Sequence, residues 1–204
     1  GKEKYMSDSK LQYKKMSLEE LVVLSQQNDL KALEELIKRE QKNVFAAFSY
    51  LTDKRENISD LTQEALMRVA KNIANLKNPK NFKSWLNTII TNLFYDELRK
   101  SARKPDTISI DEDDCENSTF NLLSLIPDKK CKPPEKCISN ELEKIIREAI
   151  QKLPEPFRIA IVLRELQGLS YEEIAHATKS SVGTVKSRIA RARCKLQEGL
   201  KAYI

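Results

Sequence analysis

A helix-turn-helix pattern occupies residues 169–196, which read LSYEEIAHATKSSVGTVKSRIARARCKL. Ser170 and Glu173 form a capping box, in which each side chain can bond the other residue's amide, so a short helix is predicted to begin here. A polar turn follows at residues 178–180, and Ser181 can cap a second helix. Apolar residues recur every three or four positions in that second helix and form one stripe. The stripe consists of Val182, Val185, Ile189, Ala192 and Leu196.

The side of the second helix opposite this stripe is polar and basic. It comprises Thr184, Ser187, Arg188, Arg191 and Lys195, with Lys186 and Arg193 at its flank. The major groove of DNA admits one helix, and arginine can make two parallel hydrogen bonds to guanine. The pattern therefore predicts that this helix binds DNA. The alternative is an ordinary helical hairpin with a solvated basic face.

Charge is distributed unevenly along the chain, whose net charge is +6. Residues 179–204 carry seven Lys or Arg against one Glu, and residues 80–104 carry six basic against two acidic residues. Residues 105–139, between them, carry four basic against eight acidic residues. Basic clusters on helices indicate phosphate contact, although charge runs can also simply solvate a helix face.

Helical periodicity extends over most of the chain, with one interruption. A capping box at residues 17–20 predicts the start of a first helix, and further helices are predicted at about residues 30–51, 58–76 and 82–103. Prolines at 105, 127, 133 and 134 and an acidic run at 111–114 break the pattern, which returns from Asn140. We therefore predict an all-α protein of two small helical domains joined by an extended acidic linker. The predicted divisions are a tail at 1–16, a first domain at 17–104, a linker at 105–139 and a second domain at 140–204.

Sequence features of several other protein classes are missing. No run approaches the roughly 18 apolar residues of a membrane span, and the lysine-rich start has no apolar core. We therefore expect a cytoplasmic protein without membrane insertion. One histidine, His176, and the lack of a Gly-rich phosphate loop predict no catalytic residue, metal or cofactor. The cysteines, at 115, 131, 137 and 194, are expected to be free thiols, with a redox role left open.

Two helices of the first predicted domain carry polar faces that a folded core does not need. On the third helix these residues are Asp60, Gln63 and Glu64. On the fourth helix they are Ser84, Thr88, Thr91, Asn92, Tyr95 and Arg99, while Trp85 is expected in the core. An aromatic ring among hydroxyls, amides and a base suits single-stranded DNA, because bases stack on rings and phosphates pair with arginine. A solvated helix face is the alternative for both sets.

Several stretches resemble the extracytoplasmic-function class of bacterial sigma-70 factors. Residues 153–158, 162–165, 169–175 and 182–193 are similar to region four of that family. Residues 60–64, DLTQE, are similar to the Asp-x-x-Gln-Glu signature of region two, and residues 82–100 match its Phe-x-x-Trp-Leu…Asn…Asp…Arg-Lys pattern. The resemblance covers about residues 25–200. The chain departs from the family at Lys179-Ser180, where the family usually has Gly and then an apolar residue.

The resemblance implies a sigma factor, which is not an enzyme but binds RNA polymerase core and directs promoter-specific initiation. Its partners would be the β′ coiled-coil and β flap of the polymerase, promoter DNA and an anti-sigma factor. Asp60, Gln63 and Glu64 would grip the coiled-coil. Ser84, Thr88, Asn92, Tyr95 and Arg99 would bind the minus-ten element, with the loop at 75–81 capturing a flipped base. Thr184, Lys186, Ser187, Arg188 and Arg191 would bind the minus-thirty-five element, with Arg193 and Lys195 on the backbone.

Two alternatives stay open at this point. The first is a helix-turn-helix regulator that acts without core polymerase, although such a regulator would need neither the Asp60 face nor the fourth helix. The second concerns the linker, whose acidic residues 111–114 and 116 would thread through the polymerase cleft in a sigma factor. They would equally serve as a soluble tether.

Overall fold

The computed structural model describes residues 12–102 and 133–203, and within 133–139 the backbone alone. Within those ranges the chain forms helices and no strands, which confirms the all-α prediction. The helices are α1 (Leu18–Gln26), α2 (Leu30–Leu51), α3 (Arg55–Asn72), α4 (Phe82–Ser101), α5 (Pro133–Gln151), α6 (Glu155–Ile161), α7 (Tyr171–Thr178) and α8 (Val182–Leu200). Short 3₁₀ turns occupy Ile73–Asn75 and Pro79–Asn81, and a π-helical segment, Val162–Leu166, continues α6.

Side-chain caps begin the helices where the sequence predicted them. The Ser17 hydroxyl accepts from the Glu20 amide at 3.2 Å, and the Glu20 carboxylate accepts from the Ser17 amide at 2.7 Å. Asp29 accepts from the amides of Lys31 and Ala32 at the start of α2. Each cap satisfies amides that have no partner within their own helix. The predicted bounds of α2, 30–51, agree with the structure.

Two helices begin earlier than the sequence indicated. α3 begins at Arg55 rather than near Ile58, and no side chain caps it. It ends at Asn72, where the 3₁₀ turn takes over the residues that periodicity assigned to the helix. α5 begins at Pro133, seven residues before the expected start at Asn140. Proline is tolerated in the first turn of a helix because the amide it lacks would have no helical partner there.

α1 to α4 form an N-terminal bundle around large apolar side chains. Its fully buried members include Leu21, Leu36, Phe48, Phe82, Leu86, Ile90 and Phe94. α5 to α8 form the second helical unit, in which α6 and α7 pack on α8 and bury Val185, Ile189, Ala192 and Leu196. The two units also touch, because α4 lies against α7 and α2 lies against α5. None of the described helices is long and apolar enough to cross a membrane.

One cysteine differs from the sequence expectation. Cys194, on α8, is disulfide-bonded, so the prediction of free thiols is wrong for that residue. Cys115, Cys131 and Cys137 belong to the segments whose side chains are not described.

The turn between α7 and α8 holds a non-glycine residue in a left-handed conformation. Lys179 has φ 53° and ψ 45°, and its amide closes α7 on the carbonyl of His176. This is the position at which the chain departs from the family's usual glycine. A side chain with a Cβ is strained in this conformation.

Lys179→Gly should therefore stabilise the protein. We expect the free energy of unfolding in urea to rise by about 0.5–1 kcal/mol, because the relief of backbone strain exceeds the cost of the greater entropy that glycine gives the unfolded chain. Lys195→Gly, at an exposed position inside α8, is the matched control and should lower stability by about 1 kcal/mol. Equal losses in both variants would show that Lys179 is not strained.

Candidate functional site

The recognition helix α8 exposes the side chains that the sequence assigned to DNA. Lys186 and Ser187 are exposed and Thr184, Arg188 and Arg191 are half-buried, while the stripe that includes Val185 and Ile189 is buried. The structure therefore brings the five proposed minus-thirty-five residues to the side of α8 away from its buried stripe, with three of them half-buried. This arrangement is the one required for insertion into a groove.

Hydrogen bonds within α8 limit what its hydroxyl groups can read. The Ser187 hydroxyl donates to the carbonyl of Thr184 at 2.9 Å, and the Thr184 hydroxyl lies 2.8 Å from that of the cap, Ser181. With its proton engaged, Ser187 is left with lone pairs, which suit the amino groups of adenine or cytosine. Lys186 and Arg191 supply donors for guanine or phosphate.

The ring of Tyr171, the first residue of α7, lies close to two cations. The Arg164 guanidinium is 4.7 Å and the Lys186 ammonium 5.8 Å from the centroid of its ring. Arg164 also donates to the carbonyl of Leu169 at 2.7 Å, which fixes it to the turn before α7. Sequence reasoning missed this cluster, because nothing in the local pattern brings residues 164, 171 and 186 together.

Arg193, at the flank of the polar face of α8, pairs with Glu165. Its guanidinium donates two hydrogen bonds to Oε1 of Glu165, at 3.1 and 2.5 Å, and the Glu165 side chain is only 6% exposed. The pair joins α8 to the π-helical segment. Sequence analysis placed Arg193 on the DNA backbone; in this structure its guanidinium instead serves Glu165, because a buried carboxylate requires a cationic partner. Lys195 is exposed, as a phosphate contact requires.

Removing Arg193 should therefore unfold the helix-turn-helix more readily than it weakens DNA binding. Arg193→Ala leaves the Glu165 charge buried without a partner, which costs about 3–5 kcal/mol in urea unfolding. Replacing both residues with leucine should restore much of that stability, since apolar pairs often replace buried ion pairs without loss. Lys195→Ala, the control on the same helix, should change stability by less than about 0.5 kcal/mol. A stable Arg193→Ala variant with weak DNA affinity would instead identify a phosphate contact.

α4 carries the five residues proposed for the minus-ten element along one side, but not with equal exposure. Asn92 and Arg99 are exposed, whereas Ser84, Thr88 and Tyr95 are half-buried. The Ser84 hydroxyl donates to the carbonyl of Asn81 and that of Thr88 to the carbonyl of Ser84, so both can only accept from DNA. Burial raises the pKa of Tyr95, nearby Arg188 lowers it and Glu155 raises it.

Three further positions on α4 refine the sequence interpretation. Thr91, expected on the polar side, is buried and donates to the carbonyl of Asn87 at 2.8 Å. Asn87 is itself fully buried, with its Oδ1 unpartnered. Trp85 is half-buried at the edge of the core, its ring centroid 5.9 Å from that of Phe82. α4 is thus more deeply embedded than its composition suggested.

α3 presents Asp60, Gln63 and Glu64 together on an exposed face, as the sequence predicted. Met67, beside them, is 51% exposed. Asp60 and Glu64 line a groove between α3 and α4 that also contains Asp96, Glu97 and Arg99. Glu64 pairs with Arg68 at 2.9 Å on the surface, an interaction that a partner's cation can displace. Arg99, which was proposed to bind the minus-ten element together with Ser84, thus lies beside the acidic face of α3.

Among the described residues there is no group of three or more His, Cys, Asp or Glu side chains that could hold a metal ion. The arrangement offers surfaces for macromolecules: an acidic face on α3, a polar face on α4 and a basic recognition helix.

Comparison with known proteins identifies the family to which this combination belongs. Family models for Sigma-70 region 2 and Sigma-70 region 4 match residues 36–104 and 143–196. The ECF RNA polymerase sigma-E factor of Haemophilus influenzae is 36% identical over 85% of this chain and 89% of its own length. The ECF RNA polymerase sigma-E factor of Escherichia coli K12 is 36% identical over 85% of this chain and 88% of its own length. The chain belongs to the ECF class of sigma-70 factors.

Two solved structures share the fold. The sigma factor RpoE of Bartonella quintana, in complex with the anti-sigma factor NepR, has a TM-score of 0.63 and 28% identity over 86% of this chain and 100% of its own. CnrH, in complex with the cytosolic domain of CnrY, has a TM-score of 0.61 and 20% identity over 92% of this chain and 99% of its own, which supports the fold alone.

Proposed function

We propose that this ECF sigma factor binds RNA polymerase core through Asp60, Gln63 and Glu64 on α3 and directs it to promoters. The observation that carries the proposal is the exposure of these three side chains on one helix face, in the same chain as a helix-turn-helix. Carboxylates and an amide on one face suit arginines presented by the β′ coiled-coil, because charge-assisted hydrogen bonds are the strong ones. The β flap would hold the second helical domain.

Promoter DNA would be contacted at two elements. Ser84, Thr88, Asn92, Tyr95 and Arg99 on α4 would bind the opened minus-ten element, and Thr184, Lys186, Ser187, Arg188 and Arg191 would bind the minus-thirty-five element. The domains would span 17–104 and 140–204, with a tail at 1–16. The linker at 105–139, whose acidic run lies outside the described residues, would pass through the polymerase. We infer a cytoplasmic, non-enzymatic initiation factor that needs no cofactor.

We further infer regulation by an anti-sigma factor. The support is the likeness to RpoE of Bartonella quintana, solved in complex with its anti-sigma factor NepR at 28% identity.

Replacing Asp60, Gln63 and Glu64 with alanine should weaken binding to core polymerase at least tenfold. The expectation follows from two charge-assisted hydrogen bonds of about 1.5–3 kcal/mol each. Affinity is measured by competition for fluorescent core, and helicity by circular dichroism. The matched control replaces the exposed residues Glu19, Glu34 and Gln41, which removes the same groups from α1 and α2. Equal affinity of both triple variants would assign the core-binding surface elsewhere, whereas no measurable affinity of the unaltered protein for core would favour a regulator that acts without polymerase.

Arg191→Ala should relax the sequence preference at one position of the minus-thirty-five element. A side chain that reads a base contributes about 1–3 kcal/mol of discrimination, whereas a phosphate contact weakens all sequences alike. Sequences bound by the holoenzyme are selected from a randomised promoter pool and compared with those of the unaltered protein. Lys195→Ala serves as the control, since we expect it to lower affinity without changing the motif. An unchanged motif for Arg191→Ala would place Arg191 on the backbone.

A further inference from the structure

A cavity of about 330 Å³ lies where the end of α2, the start of α3 and α5 meet. Among the residues that line it, Ser49, Thr52 and Ile58 are buried. Small-molecule sites in proteins occupy about 300–1,000 Å³, so the cavity has room for one small molecule but not for an oligonucleotide. None of the residues that line it belongs to the surfaces proposed for core polymerase or promoter DNA.

Three cationic side chains line the cavity, and each has donors to offer a ligand. Arg55 is exposed at the first position of α3, and none of the ion pairs among the described residues includes it. Arg147 donates to Glu143 through one terminal nitrogen at 2.7 Å, and its Nε has no hydrogen-bond partner. Lys144 lies 4.0 Å from Glu148, and both side chains are more than half exposed, so that a phosphate can displace this contact.

The α5 side of the cavity is held in place by contacts to the end of α2. The Arg147 guanidinium lies 5.1 Å from the centroid of the Tyr50 ring. One turn further along α5, the Gln151 amide donates to the carbonyls of Ser49 and Thr52 at 2.8 and 3.1 Å. Groups that are already fixed lose less entropy on binding than mobile ones, so this side of the cavity is preorganised for a ligand.

An aromatic ring lines the same cavity. Phe45, on α2, is 48% exposed. One exposed ring is ordinary on a protein surface, but this one shares a cavity with three cations. Planar bases stack on aromatic rings, and phosphates form charge-assisted hydrogen bonds with arginine and lysine. The combination suits a molecule that contains both a base and phosphate.

Two carboxylates complete the lining and distinguish the ligand from a bare anion. Asp53 and Glu148 are both exposed and both line the cavity. They would repel inorganic phosphate, because like charges at short range oppose each other. Carboxylates accept hydrogen bonds from ribose hydroxyls and from the amino groups of bases. The mixed lining therefore favours a nucleotide over phosphate alone.

We propose that this cavity binds a nucleoside polyphosphate. Its base stacks on Phe45, and its phosphates bond Arg55, Lys144 and Arg147. Its sugar hydroxyls or its base amino group bond the two carboxylates. The site is separate from the surfaces proposed for core polymerase and for promoter DNA, so the inference goes beyond the proposed function and does not depend on it.

Isothermal titration calorimetry of the full chain with ATP, GTP and inorganic pyrophosphate tests the site. We expect a dissociation constant of about 10–100 μM for at least one of the two nucleotides, because exposed charged contacts are individually weak. Pyrophosphate lacks a base and a sugar and should bind at least about tenfold more weakly. No binding of either nucleotide at about 1 mM would overturn the proposal. Pyrophosphate binding as tight as nucleotide binding would overturn the assignment to a nucleotide.

Two variants separate the contacts to phosphate from the contact to the base. Arg55→Gln should weaken binding of nucleotide and pyrophosphate alike, by about tenfold, because it removes a charge-assisted hydrogen bond. Phe45→Leu should weaken nucleotide binding about fivefold and leave pyrophosphate binding unchanged, because leucine offers no ring on which a base can stack. Both residues are exposed, so neither change should disturb the fold.

Matched controls remove the same chemical groups outside the cavity. Arg68→Gln removes an arginine further along α3, and Tyr203→Leu removes a ring that is 60% exposed. Both should bind nucleotide as the unaltered protein does, and circular dichroism verifies that every variant is folded. Equal losses in Arg55→Gln and Arg68→Gln would show attraction by overall charge and overturn the site. Unweakened nucleotide binding in Phe45→Leu would overturn the contact to the base.

Discussion

Unpartnered backbone groups at helix ends are the constraint on which this structure depends. Eight helices in a chain of 204 residues leave many amides and carbonyls without partners in the described segments. Ser17, Ser170 and Ser181 satisfy amides within their own segments. The carbonyl end of α2 has no such local solution, and Gln151 and Arg158 reach it from the second domain. The requirement to cap one helix thereby fixes where the two domains meet.

Local signals in the sequence were sufficient for most of the fold. Capping boxes at residues 17–20 and 170–173 placed the starts of α1 and α7, and the apolar period placed the buried face of α8. Prediction failed where a boundary has no local signal. α3 begins without a side-chain cap, and α5 begins with two prolines, which elsewhere end helices. The exposure of Asp60, Gln63 and Glu64 could be predicted, because the apolar residues of α3 form a stripe that is buried and the opposite face is left to solvent.

Contacts between distant residues could not be predicted. A helical wheel shows that Arg193 lies at the flank of the recognition face, but not that Glu165, 28 residues earlier, is buried within its reach. Likewise, helical periodicity placed Thr91 on the polar side of α4, whereas packing buried it. The direction of a side chain follows from helical geometry, but its partner depends on how helices pack. The helix faces of the candidate site could therefore be predicted from the sequence, whereas the partners of individual side chains could not.

The surfaces assigned to DNA and the surfaces that join the domains obey the same physical rule. A helix face that binds a phosphate backbone must be polar and well hydrated when free, so it cannot form a dry interface with another domain. The cleft between α4 and α7 is lined by hydroxyls and carboxylates together with Leu76 and Trp85. The polar groups that suit α4 for nucleic acid are thus retained where α4 approaches the second domain.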